Sequence, residues 1–190
     1  GLEKMGIDAW WMDSTEPDHL SFKESDLELP TADGSFRSVR NAYPLLGVEG
    51  VYDNQRAYTS DRRVCILTRS AYTGQQRTGA NVWSGDIQST WHSLRCQIPA
   101  GLGFALTGNP NFNTDLGGFF ANPYNDRGKF GSAVHNPKFQ ELYVRWMQYG
   151  IFSPMMRSHG TEVPREIPLY GKPGDIVYDA LVGAVKMRYS

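Results

Sequence analysis

Carboxylates and large aromatic rings stand close together at two places in this sequence. In the segment GIDAWWMDSTEPD, Trp10 and Trp11 are followed by Asp13, and in ANVWSGD, Trp83 is followed by Asp86. Two carboxyl groups can share a reaction as nucleophile and proton donor. Aromatic faces beside hydrogen-bonding groups also suit a ligand with apolar CH faces and polar edges, as sugars have. Composition alone, with 13% aromatic residues, favours a large hydrophobic core instead.

Each candidate residue also has an ordinary structural explanation. An Asp after a strand is more often a helix N-cap or a loop residue, and Asp86 in particular can cap a helix that begins near Ser89. Arg69, in LTRS, can serve in a structural ion pair, and His159, in RSHG, can be a satisfied histidine at the end of a strand. These alternatives stay open on the residues alone.

Three further polar residues are expected to have structural roles. Glu16 and Asp18 follow Asp13 closely, and we expect them to bind loop backbone or an arginine. Asn113 is interpreted as a turn residue rather than a catalytic one. The cysteines, Cys65 and Cys96, lie in apolar-periodic segments and are predicted to be free thiols in the core.

The candidate residues follow short apolar runs that are typical of buried strands. The runs are IDAWWMD (7–13), VCILTR (64–69), ANVWSGD (80–86), and the weaker NPNFNTD (109–115) and FSPMMRSH (152–159). Helical patterns lie between them, and this alternation indicates parallel βα units. Polar groups gather where the strands end, which is where a (β/α)8 barrel builds its active site.

Three segments have a helical pattern of apolar residues. In 88–106 the stripe is Trp91, Leu94, Ile98 and Leu102, and Pro99 is expected to kink the helix. In 136–150, flanked by Pro137 and Gly150, the stripe is Phe139, Leu142, Tyr143 and Trp146. In 175–190 it is Ile176, Val177, Ala180, Leu181, Ala184 and Val185.

The first third of the chain contains one segment with turn residues and one with a helical pattern. ELPTADGSFRS (28–38) is interpreted as a loop from its Pro, Asp-Gly and Ser residues, and 39–58 as a helix in spite of Pro44. Only about five strands can be counted, short of the eight of a barrel. The last helical pattern also has no capping residue after it. We therefore expect a piece of a larger protein.

Charge and hydropathy exclude some functions. The chain has 19 basic and 20 acidic residues, a net charge of −1 and no block of like charge, so a nucleic-acid partner is not expected. It contains no apolar run long enough for membrane insertion and no export signal at its start. It also lacks a compact metal-ligand spacing such as H-E-x-x-H, so no metal or other cofactor is expected.

Five segments together, in order and spacing, resemble the catalytic-domain motifs of glycoside hydrolase family 31. They are GIDAWWMDSTEPD, ILTRSAYTGQQRTGANVWSGD, STWHSLRCQIPAGLGFALTGNPNFNTDLGGFF, FSPMMRSHGTEVPREI and YDALVGAVKMRYS. The family consists of retaining α-glycosidases, mainly α-glucosidases and α-xylosidases, with a (β/α)8 barrel flanked by β-sandwich domains. The resemblance implies that residues 1–190 are a partial catalytic barrel domain, about strands 4 to 8, and that the upstream strands and the β-sandwich domains are absent.

The resemblance also assigns roles to residues. It implies that Asp13 is the nucleophile, that Asp86 is the general acid/base, and that Arg69 and His159 hold sugar hydroxyls. The residues expected to line the sugar pocket are Trp83, Asp115 and, as a weaker match, Phe119. Many relatives have Asp-Met-Asn-Glu at the nucleophile, whereas this chain has MDSTEPD, a variant associated with bacterial members of the α-xylosidase type.

Strand geometry adds one more expectation. Side chains of a strand alternate between its two faces, so Trp10 and Trp11 point to opposite sides and Trp11 shares the side of Asp13. Trp11 is therefore predicted to lie on the pocket side, below the nucleophile, and Trp10 to belong to the core.

The leading expectation is an exo-acting retaining α-glycosidase that releases terminal α-xylose or α-glucose. Its partner is an oligosaccharide or glycoside substrate, the rest of the parent chain supplies the missing barrel, and a bacterial periplasm or cytoplasm is suspected. One alternative is a catalytically silent sugar-binding or scaffold domain, which would keep Trp83 and His159 but tolerate loss of Asp13 or Asp86. A metal-dependent hydrolase using Asp13, Glu16, Asp18 and His159 ranks below both.

Overall fold

The computed structural model describes residues 2–17 and 23–190, which fall into two compact units, 1–83 and 84–190. The strands are β1 (Trp10–Met12), β2 (Pro30–Thr31), β3 (Gly34–Ser35), β4 (Ile66–Thr68), β5 (Asn81–Trp83) and β6 (Phe112–Asn113). The α-helices are α1 (Phe36–Val39), α2 (Tyr43–Tyr58), α3 (Trp91–Leu106), α4 (Pro137–Gly150) and α5 (Ile176–Tyr189). Short 3-10 helices span Leu2–Met5, Glu24–Glu28, Arg40–Ala42, Gln75–Thr78, Asn122–Tyr124, Ser132–His135 and Ile167–Tyr170.

The first unit contains a parallel sheet of β1, β4 and β5, with β4 in the middle. The register places Trp10 opposite Ile66 and Leu67 opposite Asn81. Every residue of β4 is buried, as expected for a central parallel strand. The sequence therefore identified these three strands correctly, and parallel pairing brings their carboxyl ends to one edge.

Helix α2 covers one face of this sheet. It begins at Tyr43 with Pro44 in its first turn, where a missing N–H costs nothing, so the predicted helix is confirmed. Val48 packs with Ile66 and Ala80 in the core of the unit. Trp10 faces this layer and donates from its Nε1 to Gln55 Oε1 at 2.7 Å.

The segment 28–38 is not a plain loop, so that prediction is wrong. It contains an antiparallel pair in which β2 and β3 are joined through Ala32 and Asp33, and it continues into α1. Gly34, the first residue of β3, has a φ of 128°, a conformation that glycine adopts without strain. The Asp-Gly turn signal was present, but the flanking segments were too short and polar to predict strands.

The core of the second unit surrounds α4. Asn136 caps the helix by accepting a hydrogen bond from Lys138 N at 3.0 Å. The whole predicted stripe is buried with no exposed surface: Phe139, Leu142, Tyr143 and Trp146. Helix α5 packs against α4 through Leu181 and Ala184, whereas Ile176, in its first turn, is 88% exposed, contrary to its place in the predicted stripe.

The run 152–159 does not form a strand, although a strand was predicted there. Its one ladder contact is an isolated parallel bridge between Leu116 and Ser158, with Leu116 N donating to Arg157 O at 3.1 Å. The segment begins with turns and bends around Pro154, which has no N–H to donate to a ladder. Asn113 was interpreted as a turn residue, but it lies fully buried in β6.

Helix α3 departs from its predicted burial. It continues through Pro99, and of the predicted stripe only Leu94 is buried, while Trp91, Ile98 and Leu102 are 44%, 48% and 62% exposed. Cys96 on this helix is also exposed, and so is Cys65 just before β4, so the prediction of buried thiols is wrong. The spacing of apolar residues identifies the apolar face of a helix, but that face is buried only where a neighbouring element covers it.

Among the described residues, no helix combines the length and the apolar character needed to cross a membrane.

Candidate active site

Asp13 lies directly after β1, at the carboxyl edge of the parallel sheet. Its side chain is 49% exposed, and its Oδ1 lies 3.1 Å from Arg69 Nη1. The same oxygen accepts a hydrogen bond from the backbone of Ser14 at 2.8 Å. Ser14 has a φ of 55°, so the chain turns sharply here and leaves the carboxylate exposed at the strand end.

Arg69 is held by two carboxylates. Besides its contact with Asp13, its Nε lies 2.6 Å from Glu16 Oε1, and its Nη2 donates to Ser14 Oγ at 3.4 Å. The Arg69 side chain is only 12% exposed. Glu16 therefore binds an arginine, one of the two roles expected for it. Asp18 lies outside the described residues.

A chain of hydroxyl groups supports the loop after β1. Thr15 is buried and lies 2.9 Å from Thr68, oxygen to oxygen, and Ser70 Oγ donates to Thr15 Oγ1 at 2.9 Å. Gln75 Nε2 in turn donates to Ser70 O at 3.1 Å. Sequence reasoning missed this network because its members lie far apart in the chain, with a separation of 53 residues between Thr15 and Thr68.

Trp11 and Trp83 contact each other in the first unit. Their ring centroids are 6.3 Å apart with an interplanar angle of 53°. Trp11 is 57% exposed, whereas Trp83 is almost wholly buried. Trp11 and Trp10 point to opposite faces of β1, as the alternation rule requires, and an aromatic surface thus lies beside the strand ends.

Asp86 is exposed and lies in the turn that follows β5 in the chain. Gly85, with a φ of 73°, makes the turn, and Ile87 N donates to Gly85 O at 3.0 Å. The helix cap of α3 is Thr90, whose side chain accepts from Ser93 N at 3.0 Å. The alternative in which Asp86 caps that helix is therefore wrong.

Asp115 is fully buried, and its Oδ1 accepts a hydrogen bond from Arg157 Nη1 at 2.8 Å. Arg157 was not among the predicted site residues. It lies two residues before His159, so the two share a side of an extended chain, and that spacing was the signal that could have identified it.

Phe119 and His159 come together in the second unit. Their ring centroids are 5.5 Å apart at an interplanar angle of 40°, and both residues are partly exposed. Phe119 also makes an edge contact with Phe120, at 4.8 Å. Thr161 N donates to Phe119 O at 2.9 Å, which joins the two loops through their backbones. An aromatic face beside an imidazole can bind the CH face and a hydroxyl of one sugar.

Buried ionisable groups lie beneath these loops. Burial raises the pKa of the Tyr143 and Tyr170 hydroxyls and lowers the pKa of the Arg165 guanidinium, because each charged form has lost its water.

Within residues 2–17 and 23–190, the structure contains no group of three or more His, Cys, Asp or Glu side chains arranged to hold a metal ion.

Comparisons with known proteins identify relatives of this chain. The chain is 42% identical over 174 residues to an α-xylosidase of Saccharolobus solfataricus. The aligned region covers 87% of this chain and 22% of that protein. The chain is 36% identical to an uncharacterised family 31 glucosidase of Pseudescherichia vulneris, covering 84% of this chain and 28% of that protein. The chain thus spans about a quarter of these relatives.

Solved structures give the same result. A family 31 α-xylosidase from Xanthomonas citri matches with a TM-score of 0.88 and 41% identity, covering 98% of this chain and 20% of that one. A family 31 α-xylosidase from a soil metagenome, solved in complex with xylose, matches with a TM-score of 0.83 and 31% identity, covering 98% of this chain and 28% of that one. The model of the glycosyl hydrolases family 31 TIM-barrel domain matches residues 1–190. The chain therefore belongs to glycoside hydrolase family 31, and its residues are part of that TIM-barrel domain.

Proposed function

We propose that the protein containing this chain is an exo-acting retaining α-glycosidase that removes terminal α-xylosyl or α-glucosyl residues. The observation that carries the proposal is the exposed carboxylate of Asp13, held by Arg69 at the carboxyl edge of a parallel sheet. Relatives named α-xylosidase and α-glucosidase support the choice of substrate class.

We further propose that residues 1–190 comprise about strands 4 to 8 of the barrel. The upstream strands and the β-sandwich domains then belong to the remainder of the parent chain. The fraction of the relatives that this chain spans, 22% and 28% for two of them, supports this division.

The proposed reaction is a double displacement. Asp13 attacks the anomeric carbon while Asp86 transfers its proton to the departing glycosidic oxygen, which requires the two carboxyl groups to be about 5 to 5.5 Å apart. A glycosyl ester on Asp13 results. Asp86, now ionised, takes a proton from water, the water attacks the anomeric carbon, and Asp13 is released with net retention.

The other candidate residues bind the sugar in this proposal. Arg69 keeps Asp13 oriented and, with His159, hydrogen-bonds to sugar hydroxyls. Trp11 and Phe119 supply apolar faces for the CH groups of the ring, and the buried Trp83 supports Trp11 by packing against it. Asp115 supports the same pocket, with its carboxylate bound by Arg157.

Azide distinguishes the two catalytic roles in the full-length parent. Asp86→Ala removes the proton donor, which an activated aryl leaving group does not need. This variant should show a burst of phenol, and azide should speed turnover and yield the α-glycosyl azide. Asp13→Ala cannot form the ester, so it should show no burst, and any azide product should have the β configuration. Asp53→Ala, an exposed position on α2, is the control and should retain activity.

Two outcomes would reject parts of the proposal. Opposite azide configurations from the two variants would reverse the assigned roles. If the parent bound xylose or glucose but hydrolysed no aryl α-xyloside or α-glucoside, the alternative of a catalytically silent carbohydrate-binding domain would replace the glycosidase.

A further inference from the structure

We propose that Arg165 is a positioning residue that holds the loops of Phe119 and His159 in register, so that the two rings bind one sugar. The inference rests on the proposed function, since it concerns the sugar-binding residues of that same site. It assigns to Arg165 no contact with substrate and no chemical step.

Arg165 is a buried cation that donates to backbone carbonyls. It is 7% exposed, its Nη2 donates to Gly118 O at 2.7 Å, and its Nη1 donates to Val163 O at 2.5 Å. Its guanidinium carbon lies 4.9 Å from the ring centroid of Phe139 and 6.0 Å from that of Tyr143. Two carbonyl dipoles and two aromatic rings stabilise the charge, which would be costly to bury without them.

Each of the two loops has a glycine where a neighbouring group approaches the backbone closely. A Cβ on Gly160 would lie 2.5 Å from Arg165 Nη2 and 2.9 Å from Gly118 O. A Cβ on Gly118, which has a φ of 77°, would lie 2.6 Å from the Cα of Ser89. The close approach of the guanidinium and of the Gly118 carbonyl to Gly160 therefore requires that position 160 lack a side chain, whereas position 118 lacks one to leave room for Ser89.

These glycines adjoin the sugar-binding candidates in sequence. Gly118 precedes Phe119, and Gly160 follows His159. The hydrogen bond from Arg165 restrains the peptide that leads into Phe119, and the contact with Gly160 restrains the peptide that leaves His159. A change at Arg165 can therefore move both rings, which now lie 5.5 Å apart.

Helix α4 braces the same arrangement from below. Tyr143 OH donates to Arg165 O at 2.8 Å and lies 2.8 Å from Ser158 Oγ, the residue before His159. The planar fork of arginine can donate to two carbonyls in fixed directions while its face lies on a ring. The compact ammonium of lysine cannot reproduce this geometry, so Arg165→Lys tests geometry with the charge retained.

The test uses the full-length parent and three variants: Arg165→Lys, Gly160→Ala and the control Gly183→Ala. Gly183 lies on α5, and a Cβ added there would meet no heavy atom of a neighbouring element within 4 Å, so alanine is expected to be silent. The measurements are the dissociation constant of xylose and glucose, kcat and KM for an aryl α-xyloside and α-glucoside, and the thermal unfolding midpoint. Sugar binding and kinetics are measured well below that midpoint.

Arg165→Lys and Gly160→Ala should weaken monosaccharide binding and lower kcat/KM by about 10- to 100-fold, as expected when binding groups shift by about 1 Å. Gly183→Ala should leave both unchanged. A merely structural role would lower the unfolding midpoint but would leave the sugar affinity of the folded enzyme unaltered. Wild-type sugar affinity in both Arg165→Lys and Gly160→Ala would overturn the inference.

The outcome is separable from that of the proposed function. A wild-type parent that binds xylose or glucose without hydrolysing a glycoside would reject the glycosidase, yet the affinities of the variants would still decide the role of Arg165. A wild-type parent that hydrolyses glycosides, with variants of unchanged affinity, would reject only the inference.

Discussion

At the scale of single residues, the candidate nucleophile Asp13 contacts Arg69, and Arg69 is held in turn by Glu16, for which only a structural role was expected. Glu16 and Asp13 both lie against the guanidinium of Arg69, at 2.6 Å and 3.1 Å. Since Arg69 is only 12% exposed, it has little room to change its orientation while both carboxylates are in place. Glu16 is therefore expected to influence the position of Asp13 through Arg69.

Replacing Glu16 with Gln in the parent should lower kcat/KM for an aryl α-glycoside by about 10- to 100-fold, because Arg69 loses a charged partner and can shift relative to Asp13. Arg69→Lys should cost at least as much, since lysine cannot hold two carboxylates with one planar fork. Glu141→Gln is the control: it breaks an exposed pair with Arg145 on α4 and should leave the kinetics unchanged. Wild-type kinetics in Glu16→Gln would reject this role.

The raised pKa of the Tyr170 hydroxyl predicts a loss of stability at alkaline pH. Burial raises its pKa above the ordinary value of 10.0, and it donates to Pro164 O at 2.6 Å. The folded state favours the neutral phenol, so this stabilisation is complete below about pH 10 and is lost as the pH rises through the raised pKa.

In the parent, the free energy of unfolding should therefore fall above about pH 10, with Tyr170 contributing about 1.4 kcal/mol per pH unit. Tyr170→Phe should remove that part of the slope and cost about 1 kcal/mol at neutral pH through the lost hydrogen bond. Denaturant unfolding at about pH 8 and about pH 11 measures both terms. An unchanged slope in the variant would show that the hydroxyl does not contribute.

At the scale of elements, α4 organises the second unit. Its stripe fills the core, and its N-cap connects it to the preceding loop. Asn136 Oδ1 accepts from Lys138 N at 3.0 Å, and its Nδ2 donates to Tyr124 O at 2.9 Å. One side chain thus satisfies a free helix N–H and fixes the direction from which the chain enters.

Asn136→Ala should destabilise the parent by about 1 to 2 kcal/mol, the usual cost of a lost N-cap. Asn136→Asp keeps the acceptor but loses the donor to Tyr124, so it should recover much of this loss. The thermal unfolding midpoints of both variants provide the measurement. Equal destabilisation by Ala and Asp would assign the effect to the Tyr124 contact rather than to the cap.

At the scale of the whole molecule, a considerable amount of large apolar surface is exposed. Leu106 and Ile176 are each 88% exposed, Tyr189 is 87% and Phe152 is 84%. Exposed apolar surface of this kind promotes association, and so do open sheet edges.

We expect residues 1–190, produced without the rest of the parent, to be insoluble or to bind a hydrophobic dye such as ANS and to unfold without a cooperative transition. The folded parent, tested beside it, should bind little dye. A monomeric preparation of residues 1–190 with one cooperative thermal transition would contradict this expectation.

The local features of this protein follow from its amino-acid sequence. Short apolar runs bounded by Gly, Pro or charged residues located β1, β4 and β5, because a buried parallel strand needs apolar side chains on both faces. The stripe and the terminal residues of α4 located that helix, because its period and its caps are properties of adjacent residues. The family motifs placed Asp13 and Asp86 after strands for the same local reason.

Features that depend on partners far apart in the chain became visible only in the folded structure. It leaves most of the α3 stripe and both thiols exposed, although the segments that contain them have the apolar patterns of buried elements. It joins Thr15 to Thr68 across 53 residues and Arg165 to Gly118 across 47. The position of a residue in a helix or strand specifies which way its side chain faces. Burial, ion pairing and support of a loop also require a neighbouring element, and the packing of the folded chain determines which element that is.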